Sequence, residues 1–65
     1  GIGLADESME AFRRAATLDP RDVAAWVGLA RAAGRRGDTA TARRARDQAM
    51  RLDPYNPSVI DLLGE

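Results

Sequence analysis

Few groups in this chain are able to do chemistry. Its 65 residues include no cysteine and no histidine. A thiolate nucleophile, a histidine base and zinc sites built from Cys and His are therefore excluded. The hydroxyls are Ser8, Ser58, Tyr55 and three threonines, and a nucleophile among them would need a neighbouring base. Ser8 falls in a stripe of small residues, where packing accounts for it. Ser58 falls in the first turn of an expected helix, where capping accounts for it. Asp6 and Glu10 stand four apart, a spacing that makes a solvated helix face more readily than an acid/base pair. Asp6, Glu7 and Glu10 are the only acidic cluster and lie near an expected helix start, where the helix dipole favours carboxylates without any metal. No catalytic, cofactor-binding or metal-ligating residue is assigned, and no cofactor is expected.

The arginines are the remaining chemical signal. Between Arg31 and Arg51 seven arginines face only Asp38 and Asp47, a local charge of +5, while the whole chain is neutral. Such a stretch could bind phosphates, and an Ala-rich helix, a Gly-containing turn and an Arg-rich helix superficially mimic a helix-turn-helix. An arginine-patch nucleic-acid binder is thus the alternative reading. Against it, no aromatic lies within the stretch to stack on bases, and the arginines spread around the helix rather than along one edge.

The elements that must carry these residues are helical. Thirteen alanines, few β-branched residues and one each of Phe, Tyr and Trp describe an all-α chain. The composition, 45% hydrophobic and 31% charged, is that of a folded domain rather than a disordered one. No apolar run approaches the ~20 residues of a membrane span. Helices are expected at about 4–18, 21–35, 39–52 and 57–64. Asp19-Pro20 and Asn56-Pro57 each set a capping side chain before a proline suited to a first helical position. Gly34 and Gly37 mark a stop, after which Asp38 caps the next helix.

A repeat underlies this punctuation. Ala15-Ala16-Thr17-Leu18-Asp19-Pro20 returns 34 residues later as Ala49-Met50-Arg51-Leu52-Asp53-Pro54. The same shift pairs Gly3 with Gly37, Ala11 with Ala45 and Leu29 with Leu63. Trp26, Leu29, Ala30 and Ala33 share one helix face, whose start Ile60, Leu63 and Gly64 repeat. Ser8, Ala11, Ala15 and Leu18 form a second stripe, reproduced by Ala42, Ala45, Ala49 and Leu52. Both stripes are expected to pack in the core.

These residues resemble the tetratricopeptide repeat, a helix–turn–helix unit with the pattern W-x2-L-G-x2-Y…A-x3-F…P. Trp26, Leu29 and Ala30 stand for W, L and G, and Ala33 for Y. Ala42, Arg46, Ala49 and Pro54 follow in the second half. Ser8, Phe12, Ala15 and Pro20 match a preceding half-repeat. The resemblance covers the whole chain as a single segment: 3–20 as the second helix of one repeat, 21–54 as a full repeat and 55–65 as the first helix of another. Arg46 and Ala33 replace aromatics, so the central hairpin is expected to be underfilled. Gly28 and Gly34 inside a helix weaken it by about 1 kcal/mol each against Ala.

The resemblance implies stacked antiparallel helical hairpins and a protein-interaction scaffold or adaptor that holds a peptide or partner helix in a groove. The groove would be lined by Ala24, Val27, Arg31 and Gly34, then by Ser58, Asp61 and Glu65. Some family members grip a terminal carboxylate with Lys and Asn at set places, which Val27 and Arg31 do not match. Arg31 remains able to hold an acidic group through a bidentate pair.

Stacking neighbours bury the apolar faces of such hairpins, and this chain holds fewer than two units. Gly1-Ile2-Gly3, without Met, reads as the start of an excised or trimmed segment. Ile2, Leu4, Met9 and Phe12 at one end, and Val59, Ile60, Leu62 and Leu63 at the other, are expected to lack partners. The expected outcome is a fragment of a longer solenoid, or a homo-oligomer joined through Met9, Phe12, Ile60 and Leu63, with the isolated chain dimeric or higher, or poorly folded.

Overall fold

The computed structural model describes the backbone of residues 2–64 and the side chains of residues 6–64. It is all-helical: α1 (Ile2–Leu18), α2 (Val23–Arg36), α3 (Thr39–Leu52) and α4 (Pro57–Leu63), with no strand among the described residues. Successive helices turn back on one another as antiparallel hairpins. An ion pair of 2.8 Å joins Asp6, near the start of α1, to Arg36 in the last turn of α2. Only an antiparallel pair brings those ends together. Both side chains are half-exposed, so the pair fixes direction more than it stabilises.

The turns follow from particular residues. The corner after α1 carries Asp19 N–H to the Ala15 carbonyl at 3.0 Å and Asp22 N–H to the Asp19 carbonyl at 3.0 Å. The corner after α3 repeats both bonds 34 residues on: Asp53 N–H to Ala49 at 3.0 Å and Asn56 N–H to Asp53 at 3.2 Å. The two Asp-Pro corners thus share these two backbone bonds, while their side-chain bonds differ. Asp22 and Asn56, which the same shift pairs, are the N-caps of α2 and α4.

One expectation is corrected here. Pro57 does sit in the first turn of α4 behind its cap Asn56, but Pro20 does not begin α2. Asp19 instead accepts from the Arg21 N–H at 3.2 Å, holding Pro20 and Arg21 in the turn. Asp22 then caps α2 by accepting from Ala25 N–H. The second carboxylate, three residues further on, wins the cap. Trp26 also ties to this corner, its indole N–H donating to the Pro20 carbonyl at 2.8 Å.

The corner between α2 and α3 depends on Gly37 alone. Its φ is +86°, and the N–H groups of Gly37 and Asp38 bond back to the Gly34 and Ala33 carbonyls. This paired closure is the Schellman motif, which places a left-handed residue just past the helix. Gly34 lies inside α2, and a Cβ there would meet nothing within 4 Å. Asp38 then caps α3 with both oxygens, accepting from Thr41 N–H at 3.1 Å and the Thr41 hydroxyl at 2.7 Å.

α2 is the centre of the fold. It packs against α1, α3 and α4, α4 also touches α3, and among the described residues α1 touches only α2. Leu29, Ala30 and Ala33 are buried and Trp26 is half-buried beside them, as the expected face requires. Ala45 and Ala49 of α3 are also buried. The matching stripe on α1 is not: Ala11 is exposed and Leu18 is 86% exposed. α1 meets α2 through Met9, Phe12 and Ala16 instead, a face turned by one residue, about 100° around the helix. Ser8 and Ala15 of that stripe are only half-buried, at the edge of the face that α2 covers.

The same logic divides α4. Val59 (0% exposed) and Leu62 (6%) enter the core, while Ile60 and Leu63 remain half-exposed. Met9, at 2% exposure, is also core. Met9, Val59 and Leu62 therefore have partners within one chain and are not open ends, as had been expected of them. The side chains of Ile2 and Leu4 lie outside the described residues. Among the described residues no helix is long and apolar enough to cross a membrane.

Two outcomes test these turns. Gly37→Ala should lower stability by about 1 kcal/mol because of its positive φ. Gly34→Ala, three residues earlier, should raise it by up to about 1 kcal/mol. Urea unfolding followed by circular dichroism reads both, and equal signs would refute the assignment of the stop to Gly37. The second outcome concerns pH. The Thr41 hydroxyl, then the Thr41 N–H, hold the Asp38 carboxyl below its ordinary value, against a smaller opposing effect of partial burial. A depressed carboxylate contributes stability above its unfolded pKa and loses it as pH falls through the lowered value. The thermal midpoint of the wild type should therefore exceed that of Asp38→Asn at neutral pH, and the gap should close on acidification through the carboxylate range.

Candidate functional site

A cleft of about 350 Å³ opens over α2, walled by α1 on one side and by the start of α4 on the other. Val23, Ala24, Val27, Gly28, Arg31 and Arg35 of α2 form its floor, with Ala32 beside them. Ser8 and Phe12 make the α1 wall, and Asn56 and Ser58 the α4 wall. Its size is at the small end of ligand-binding clefts.

The structure brings four of the expected groove residues together here: Ala24, Val27, Arg31 and Ser58. Ala24, Arg31 and Ser58 are exposed, and Val27, largely buried, forms part of the floor. Asp61 is exposed on α4 but does not line the cleft, because only the first turn of α4 borders it. Gly34 opens instead onto a separate furrow, and Glu65 lies outside the described residues.

Phe12 is the residue that the expected lining omitted. Its ring sits against the backbone of α2 at Gly28, where a Cβ would overlap the ring atoms. A glycine inside a helix normally weakens it; here the missing side chain makes room for the ring. Phe12 remains 37% exposed and so presents an aromatic wall to the cleft. The pairing of a mid-helix glycine with the only phenylalanine was the signal available in the sequence. Arg35 was also missed, since four residues past Arg31 it continues the same face.

Among the described residues, no acidic side chain lines the cleft. Its charged groups are Arg31 and Arg35, and neither forms an ion pair with a described residue. The other arginines are dispersed. Arg36 pairs with Asp6 and Arg13 with Glu10. Arg43 and Arg46 line a second furrow of about 220 Å³ between α2, α3 and α4, beside Gly34, Ala42 and Leu62. Arg46 is half-buried there, with no acceptor for its Nε proton among the described residues. Asp6 and Glu10 thus act in ion pairs with arginines on the helix surfaces.

The Phe12–Gly28 contact has a testable sign. Gly28→Ala should destabilise the wild type, because the ring must leave the face of α2 and lose its cover. In a Phe12→Ala background the same change should stabilise by about 1 kcal/mol, the ordinary helix preference for Ala. A double-mutant cycle by urea unfolding measures the coupling, and additive effects would disprove the contact. No family model matches this chain, and neither a curated protein nor a solved structure similar to it is found.

Proposed function

We propose that the chain is a protein-interaction module of the tetratricopeptide type, with no chemistry of its own, holding a peptide segment or partner helix in the α1–α2–α4 cleft. The observation that carries this reading is the lining itself. Ala24, Val27, Arg31 and Ser58, selected from the 34-residue register, border one cleft that α1 completes with Phe12. The paired Asp-Pro corners support the same register. The hydroxyls in the cleft, Ser8 and Ser58, have no carboxylate beside them among its lining residues to act as a base, which favours binding over catalysis.

The arginines supply little for a nucleic-acid reading. Two line the cleft, two line the second furrow and one is paired with Asp6. A phosphate backbone is followed by a continuous basic stripe, and these side chains diverge. Self-association has a narrower basis than expected, since Met9 is buried and only Phe12, Ile60 and Leu63 of the four residues proposed for it reach solvent.

A displayed random-peptide library panned on the chain tests the reading. Recovered peptides should lose most of their affinity for Ala24→Trp, which fills the cleft floor. They should retain it for Ala40→Trp, on the exposed surface of α3. Peptides indifferent to Ala24→Trp, or none recovered, would count against the cleft as the binding surface.

A further inference from the structure

We propose that copies of this chain join head to tail, the Ile60–Leu63 face of α4 in one copy packing on the Ala11–Leu18 face of α1 in the next. The inference rests on the 34-residue register and is independent of the cleft and its occupant.

The fold supplies its own template for this contact. α2 packs on α3 as an antiparallel hairpin. Trp26 and Leu29 from α2, with Ala45 and Ala49 from α3, enter one core. A shift of 34 residues carries Trp26 and Leu29 onto Ile60 and Leu63 of α4. The reverse shift carries Ala45, Ala49 and Leu52 onto Ala11, Ala15 and Leu18 of α1, letter for letter. The chain thus holds one complete pair of these faces, and one further face of each kind.

Exposure separates the complete pair from the other two faces. Leu29, Ala45 and Ala49 are buried and Trp26 is half-buried. Ala11 is exposed, and Ile60 and Leu63 are half-exposed. Leu52 keeps 37% of its surface in water, and its counterpart Leu18 keeps 86%. Of the six large apolar side chains exposed among the described residues, Leu18, Ile60 and Leu63 lie on these two faces. Apolar groups gathered in this way mark an interaction surface. Of the residues expected to join copies, Ile60 and Leu63 keep that role. On the α1 side it passes from Met9 and Phe12, which pack against α2, to Ala11 and Leu18.

The shapes favour unlike faces over like ones. In the template, large side chains of α2 meet alanines of α3, which let the two helices approach closely. Two α1 faces would set alanine against alanine, and two α4 faces would set large against large. α1 and α4 stand on opposite sides of α2, so the two free faces reach different neighbours. A heterologous contact of this kind adds copies without closing at two. α4 has only seven residues, so each contact is small and the association weak.

Sedimentation equilibrium of the chain from micromolar to millimolar concentration tests this. The mean mass should rise with concentration through dimer and trimer. Leu18→Glu and Ile60→Glu should each leave the helical circular dichroism unchanged and hold the chain monomeric. Each variant keeps the face that the other has lost. An equimolar mixture should therefore recover a complex of two chains and nothing larger, a gain that an unfolded variant could not give. A wild type that is monomeric throughout, or whose mass levels at two copies, overturns the head-to-tail order. Association that survives one of the substitutions overturns it in favour of self-pairing through the intact face. A mixture that stays monomeric overturns it as well.

Discussion

The structure depends on one helix being enclosed by small side chains. α2 meets all three of the others, so most of its circumference must be apolar and narrow. Seven of the twelve buried residues described in the core are alanine, and Val59 is the largest that is fully buried. Alanine lets helix axes approach closely and loses almost no side-chain entropy on burial, but each one removes little apolar area from water. The fold therefore relies on close backbone packing and on corners that hold the helices in register. That is why the Asp38 cap, the Gly37 closure and the Trp26 bond to Pro20 matter more here than in a core filled with large residues.

Much of this arrangement was legible in the residues. Helix existence followed from composition, and the corner chemistry marked where each helix ends. The start of α2 was misplaced because two carboxylates, Asp19 and Asp22, compete for the same role. Cap identity depends on which one the chain bends toward, and the Asp19 bond to Arg21 settles that locally. The orientation of α1 was less legible. Its alternative apolar faces, Ala11–Ala15–Leu18 and Met9–Phe12–Ala16, differ by a single step around the helix. Periodicity identifies both and cannot say which one a neighbour covers.

The cleft was legible in part for a related reason. Ala24, Val27, Arg31 and Ser58 follow from the register of a single helix and its repeat. Phe12 comes from a helix that precedes them, and its position depends on a tertiary contact with Gly28. A glycine inside a helix reads as a weakness when only local propensity is considered. In the folded chain it is a seat for an aromatic ring, and that ring gives the cleft a wall.

The repeated triplets Ala11–Ala15–Leu18 and Ala45–Ala49–Leu52 also carry a lesson about mutational tolerance. Their letters agree, yet Ala45 and Ala49 are sealed inside while Ala11 and Leu18 meet water. A bulky replacement at Ala45 must push two helices apart; the same replacement at Ala11 meets only solvent in this chain. A substitution scan of this protein would therefore break the symmetry that its spelling displays, and would map environment where spelling alone records only recurrence.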